Sequence, residues 1–338
     1  MTQPTAAMRR AMADADVGDD DHGEDPTVRL LEEETAACLG KAAALYVPSG
    51  CMGNEIAIAL QVKRGDAILL DPRSHVATVE ANAVTALLGR RFHFRKGDRG
   101  RLDPVDVAAA LTVGGSGDRI GLVAMENTHN GGSGAVYPLA QLQAVAAASH
   151  ARGIPVHLDG ARLWNASAAT GISTAEYAAP ADSVMVCFSK GLGAPVGSAL
   201  AGTRAFIEEG RGVRKMFGGG MRQAGIIAAG ALHGLRHHRV RLAEDHARAR
   251  RLASALALTS GLAIDPGDIE TNVVIVALDR HPERLDAFIA AAKAAGVLVD
   301  PFGAPGEFRA LTHLDVDDRG IERAIDAFRK AAALVLGE

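Results

Sequence analysis

Lysine is scarce in this chain: seven against 29 arginines. We take the excess of arginine and alanine as genomic bias, yet it makes each lysine conspicuous. Cysteine is scarcer still. Cys38, Cys51 and Cys187 have no metal-ligand spacing, and an odd count gives no full disulfide framework, which points to a reducing cytoplasm. No apolar run reaches the ~18 residues that a membrane-spanning helix needs. The formal net charge is −4, which excludes a broad basic surface for nucleic acid or anionic lipid. The first 28 residues lack the apolar core of a signal peptide and turn acidic after residue 13. A chain of 338 residues, 48% apolar, can bury a large core as one large domain or two.

What is present is a repeated pattern of short apolar run, glycine-containing turn and alanine-rich helix. "AALYVPSG" (43–50) reads as a strand and turn, followed by a helix over 53–63. Strands are expected at 67–71, 120–127, 155–160 and 183–189, with helices within 78–88 and over 138–153. Continuous apolar strands alternating with helices imply a parallel sheet covered on both faces. A long helical stretch begins near residue 223. It is followed by a strand at "NVVIVAL", a helix near 282–295, a strand at "FRALTH" and a last helix from Asp317. The glycines of "TVGGSGDR" (112–119) follow no strand and read as a surface loop, not a dinucleotide fingerprint. The expected organisation is an arm over 1–15, a large domain over 16–235 and a small α+β domain over 236–338.

Ligands of open α/β sheets bind beyond the carboxyl ends of the strands. There the sequence places Ser49-Gly50-Cys51, then His75, Glu126-Asn127 with His129-Asn130, Asp159 with Arg162, and Lys190. A strand-to-helix turn such as 49–51 presents backbone N–H groups to a phosphate. Each of the others also has an ordinary role: His75 a loop histidine, Asp159 a helix cap, Arg162 a surface ion pair, Lys190 a strand-end lysine reaching for water. A desolvated lysine can lose its proton and act as a nucleophile, which arginine cannot. Pyridoxal phosphate uses the whole set: a lysine for its aldehyde, an acid for its pyridine nitrogen and a pocket for its phosphate.

The stretches "VGDDDHGEDPTV", "LYVPSGCMGN", "MENTHNGG", "HLDGARLWNA", "CFSKGLGAPVGSAL", "RKMFGGGMRQAGI" and "THLDV" run from Val17 to Val316. In these the chain resembles the low-specificity L-threonine aldolases, β-eliminating lyases of fold type I among the pyridoxal-phosphate enzymes. The resemblance implies cleavage of L-threonine, L-allo-threonine and related β-hydroxy-α-amino acids to glycine and an aldehyde. It implies a Schiff base at Lys190, Asp159 on the pyridine nitrogen, His75 stacked on the ring and the phosphate at Ser49, Gly50 and Cys51. Arg162 would lie by the phenolic oxygen and the substrate carboxylate, Arg309 would grip that carboxylate, and His129 would face the β-hydroxyl. Arg222 would approach a neighbouring subunit's site in a homotetramer, a dimer of dimers. The base is open between His129, His75 and a water held by either.

Three departures stand out. The family's opening serine-aspartate-threonine stretch is not found, the chain beginning "MTQPTAAM". Cys51 replaces a threonine, and His22 stands where a tyrosine usually precedes "GEDPTV". His22, among carboxylates that favour its protonated form, is expected to make up part of the lost attraction for a substrate carboxylate. Two other readings remain at this point: β-elimination on another amino acid, and a weakly active or non-catalytic cofactor carrier. No metal is expected.

Overall fold

The computed structural model describes residues 2–112 and 119–337. The glycine-rich loop expected at 112–119 falls almost wholly on residues outside that range.

The larger compact unit comprises residues 2–132 and 136–240. Its sheet is built from β1 (Ala43–Val47), β2 (Ala67–Leu70), β3 (Arg91–Phe94), β4 (Ile120–Glu126), β5 (Val156–Gly160), β6 (Ser183–Cys187) and β7 (Ser198–Gly202). The spatial order is β1-β7-β6-β5-β4-β2-β3. The neighbours β3-β2-β4-β5-β6 are parallel, while β7 is antiparallel to both β6 and β1. Every residue of β5 and β6 is buried, as both faces of a covered parallel sheet require. Because β7 opposes both its neighbours, β1 runs in the same sense as β6. The carboxyl ends of β1, β2, β4, β5 and β6 therefore share one rim.

Helices α1 (Ala6–Ala13), α2 (Pro26–Leu39), α3 (Gly50–Gln61), α9 (Arg204–Met216) and α10 (Gly225–His237) belong to this unit. The amino-terminal residues expected as an arm include α1, whose N-cap Thr5 accepts the Met8 N–H and whose Met8 is fully buried. Helix α2 opens on Asp25 and Pro26 and closes on Gly40 at φ +61, a left-handed position where glycine costs least.

The smaller unit comprises 133–135 and 241–338. Its antiparallel sheet has the order β10-β11-β9-β8, from β8 (Leu262–Ala263), β9 (Val273–Leu278), β10 (Asp300–Pro301) and β11 (Glu307–Leu311). Phe288, Phe308 and Phe328 form its aromatic centre, with ring centroids 5.2–6.1 Å apart. Helices α11 (Leu242–Ala257), α12 (Leu285–Ala294) and α13 (Asp318–Leu336) complete it.

Several elements differ from the sequence reading. The stretch after residue 223 is two helices, broken by a short turn at Arg239–Arg241. The helix expected within 78–88 is a single turn at His75–Thr78 followed by a wide turn at Ala83–Leu87. Strand β7, "SALAG", carries too little bulk to read as a strand. The edge strand β3 is polar and half exposed.

Asp25 gathers three donors in this unit. Its carboxylate accepts the N–H of Val28 at 3.0 Å, of Gly18 at 3.1 Å and of Gly225 at 2.8 Å, and it is fully buried. Hydrogen bonds to a charged group contribute roughly 1.5–3 kcal/mol each, and losing the acceptor leaves buried donors unpaired. Asp25→Ala is expected to destabilise the fold by about 3 kcal/mol or more. A urea midpoint unchanged from wild type would contradict this.

Candidate active site

The rim of the larger unit carries a cavity of about 250 Å³. Its lining takes in the Ser49–Cys51 turn, His75, Glu80, Asp159 and Lys190. Four strand ends thus supply one pocket: β1 the turn, β2 His75, β5 Asp159 and β6 Lys190.

The turn is the amino terminus of α3. Ser49 caps it, its Oγ accepting the Met52 N–H. The first N–H groups of a helix have no intrahelical acceptor, so the Gly50 and Cys51 amides are free for an anion. Gly50 permits a close approach to β6: a Cβ there would lie 2.9 Å from Cys187 Sγ and 3.1 Å from Met185 Cε. The Cys51 thiol is pushed up to about 12 by burial, with Glu80 and Glu55 adding to it. It stays protonated at neutral pH and is no nucleophile.

Asp159 is buried at the end of β5. One carboxylate oxygen accepts the Ala161 N–H at 3.0 Å, the other the Asn54 side-chain amide at 3.0 Å. It thus holds the turn after β5 rather than capping a helix, since α7 (Leu163–Thr170) begins later with Arg162 at its N-cap.

His75 is half-buried and its Nδ1 meets Glu80 Oε1 at 2.6 Å. Its backbone N–H donates to Glu126 Oε2 at 2.7 Å. Burial works against charge on His75. The Glu80 hydrogen bond, with Asp159 and Glu80 as nearby negative charges, outweighs it, so His75 protonates above the ordinary histidine range. Glu80 is itself buried and its Oε2 has no hydrogen-bond partner. Lys190 sits half-buried in the turn after β6, beside Cys51 and His75.

The other residues singled out in the sequence lie elsewhere or deeper. His129 is buried, with both ring nitrogens lacking a hydrogen bond; Asp71 Oδ1 is 3.7 Å and Glu126 Oε2 3.9 Å from its Nε2. Arg162 is buried and donates to Asn130 Oδ1 at 3.1 Å. His22 is exposed on the turn Asp20–His22. Arg222 is exposed, 3.5 Å from Asp19. None of these four lines the cavity. Arg309 is on β11 of the smaller unit, its guanidinium 4.5 Å over the Phe302 ring, where burial lowers its proton affinity.

Three residues not singled out from the sequence belong to this region. Glu80, five residues beyond His75, lines the cavity. Asn54, one turn into α3, and His157, two residues before Asp159 and on the same face of β5 by strand alternation, stand behind Asp159 rather than in the lining. The spacing of "HLDG" carried that last signal.

The β-eliminating lyase family model matches residues 1–279. The low-specificity L-threonine aldolase 1 of Arabidopsis thaliana is 39% identical over 289 residues, 82% of this chain and 79% of that protein. The low specificity L-threonine aldolase of Escherichia coli strain K12 is 35% identical over 331 residues, 94% of this chain and 92% of its own length. Among solved structures, a Leishmania major threonine aldolase superposes with a TM-score of 0.79 at 20% identity, covering 97% of this chain and 96% of that one. A serine palmitoyltransferase of Sphingomonas wittichii gives 0.75 at 20% identity, with coverage of 98% and 84%. These two share the fold, that of the fold type I pyridoxal-phosphate enzymes.

The His75–Glu80 pair has a pH signature. A histidine whose folded proton affinity is raised stabilises the fold fully below the unfolded value of about 6.5, and this contribution is lost as pH rises through the folded value. Glu80→Gln should lower the His75 titration midpoint in an NMR titration and remove that stability, in full below about pH 6.5 and progressively less up to the folded value. An unmoved midpoint would show that the pair does not govern His75.

Proposed function

The chain belongs to the β-eliminating lyase family, in its low-specificity L-threonine aldolase branch. From that premise we propose that it cleaves L-threonine, L-allo-threonine and related β-hydroxy-α-amino acids to glycine and an aldehyde, with pyridoxal 5'-phosphate. The observation that carries this reading is the convergence of Lys190, the buried Asp159 carboxylate and the amino terminus of α3 on one cavity. The residues fit the group. Gly50 lets the amino terminus of α3 pack against β6, Gly50 and Cys51 at that terminus line the cavity where an anion would sit, and Asp159 is a ready acceptor for a pyridinium proton.

Pyridoxal phosphate, when bound, supplies the electron sink for the pair released as the Cα–Cβ bond of an amino acid breaks. The side chains of this protein do the rest. The Lys190 amine would hold the aldehyde carbon of the group. Asp159, oriented by its two donors, would hold the ring-nitrogen proton. The amides and hydroxyl of Ser49, Gly50 and Cys51 would bind the phosphate, Cys51 offering a thiol where a hydroxyl donates better. His75 would lie against the ring, and Arg162 by its phenolic oxygen. A base must take the β-hydroxyl proton so that the aldehyde C=O forms as Cα–Cβ breaks. His75, or a water it holds, is one candidate, supported by its place in the cavity lining. His129 is the other candidate. Arg309 and His22 are proposed to attract the substrate carboxylate. The reading extends to a cytoplasmic homotetramer, with Arg222 near a neighbouring subunit's site. Free thiols at all three cysteines and the exposed Met216 and Ile226 support it.

Incubation of the purified, cofactor-loaded protein with L-threonine, L-allo-threonine and phenylserine tests the proposal. Glycine with the matching aldehyde is the expected product; pyruvate with ammonia would overturn it in favour of β-elimination. Lys190→Ala should abolish the visible cofactor absorbance and lower the rate by orders of magnitude. Borohydride trapping on any other lysine would show the Lys190 assignment to be wrong. Arg309→Ala should raise KM for threonine about ten- to a hundredfold, the range for one charge-assisted pair, with the absorbance intact. An unchanged KM would remove Arg309 from substrate binding.

A further inference from the structure

Behind Asp159 runs a line of buried polar side chains that the reaction steps above do not use. Asn54 and Ser183 are fully buried, as is His157. The Asn54 Nδ2 donates to Asp159 Oδ2 at 3.0 Å and to Glu80 Oε1 at 3.1 Å. Its Oδ1 faces His157 Nε2 at 3.0 Å. On the far side His157 Nδ1 lies 2.8 Å from Ser183 Oγ, which is 2.8 Å from Gln61 Oε1.

The proton positions follow from the partners. A carbonyl oxygen only accepts, so His157 Nε2 carries a proton. Burial pulls the His157 ring down to about 4. The ring is therefore neutral at neutral pH, Nδ1 is an acceptor, and the Ser183 hydroxyl gives it its single proton. Each donor points the same way, from Ser183 through His157 and Asn54 to the two carboxylates.

We propose that Asn54 and His157 are positioning residues for Asp159. An asparagine amide can sit either way round. Turned over, Asn54 would aim its carbonyl at Asp159 and Glu80 and leave the His157 N–H without an acceptor. The His157 donor therefore fixes Asn54 with both N–H bonds toward the carboxylates. One amide then serves two acids, giving each its own hydrogen. Asp159 is held with its carboxylate in the pocket. This rests on the reading that Asp159 pairs with the ring nitrogen of pyridoxal phosphate.

The test uses the full-length holoprotein and its single tryptophan. Trp164 is buried, and its Nε1 donates to Cys187 O at 3.0 Å, so its fluorescence reports cofactor uptake from the wall of the same strand end. His157→Leu removes the donor to Asn54. It should raise the cofactor Kd and lower kcat about tenfold each, the lower end for loss of a supporting hydrogen bond behind a functional ligand, and leave KM for threonine within about twofold. His157→Gln keeps an N–H for Asn54 and should return both quantities to within about threefold of wild type. Asn54→Ala should show the same split as His157→Leu. Wild-type Kd and kcat in both His157→Leu and Asn54→Ala would overturn the proposal. So would equal losses in His157→Leu and His157→Gln matched by equal falls in the thermal midpoint of the apoprotein, which mark a merely structural role. If the wild-type protein takes up no pyridoxal phosphate, the reading beneath fails and the proposal falls with it, a result told apart by the wild-type fluorescence titration alone.

Discussion

The constraint on which this molecule turns is a carboxylate buried at the end of a central strand. An ionised acid out of water is costly unless hydrogen-bonded. Asp159 meets that cost locally: an amide of the following turn on one oxygen, the Asn54 amide on the other. The first bond shapes the turn that carries Arg162. The second ties β5 to α3, the helix whose amino terminus faces the same cavity. A single charge therefore couples the geometry of two strand ends. His75 and Glu80 are drawn in through the same amide, so the acidic side of the pocket is one connected piece.

A second electrostatic assembly sits apart from the cavity. The acidic run Asp19–Asp21 meets basic residues from α9 and the segment after it. Arg214 Nη1 is 2.9 Å from Asp20 and 2.8 Å from Tyr46 O, and both charged partners are buried. Asp20 is nevertheless raised in proton affinity, because burial outweighs the Arg214 and Arg211 charges. Lys215 and Arg222 stand 3.6 Å and 3.5 Å from Asp21 and Asp19 at the surface, where screening leaves such pairs little weight. The buried pair fixes the start of the chain against β1. It also accounts for the acidic density that the sequence displays there: Asp19–Asp21 serve the fold, while His22 points to solvent.

Much of the architecture was legible because it rests on repetition. Parallel strands buried on both faces read as apolar runs, as β4 and β6 do along most of their length, while β5 is interrupted by His157 and Asp159. Strand ends then mark the rim, which is how Lys190, Asp159, His75 and the Ser49–Cys51 turn were found together. What escaped notice was set by tertiary context. Strand β7 is small-residued because Gly202 and its neighbours pack closely, so no propensity announces it. Asn54 looks like any polar helical residue until α3 is laid against β5. His157 reads as one more residue of an apolar strand unless its neighbour two places on is known to be charged. His129 was expected on the rim but lies buried outside the cavity lining, because residues after β4 turn inward toward Asp71 and Glu126.

The antiparallel β7 has a consequence for how the chain is made. Strand β1 is an edge strand whose only partner among the described residues is β7, with Ala43 opposite Gly202. During synthesis the strand that leads into the Ser49–Cys51 turn emerges early and lacks that partner until most of the larger unit has followed it. Pairings so distant in sequence are slow to form, since the loop must close before any contact rewards it. The parallel core β2-β4-β5-β6 can assemble first. The wall of the pocket bearing Ser49, Gly50 and Cys51 depends on β7 for its place, so Asp159 and Lys190 can be set in the sheet before that turn is brought to them.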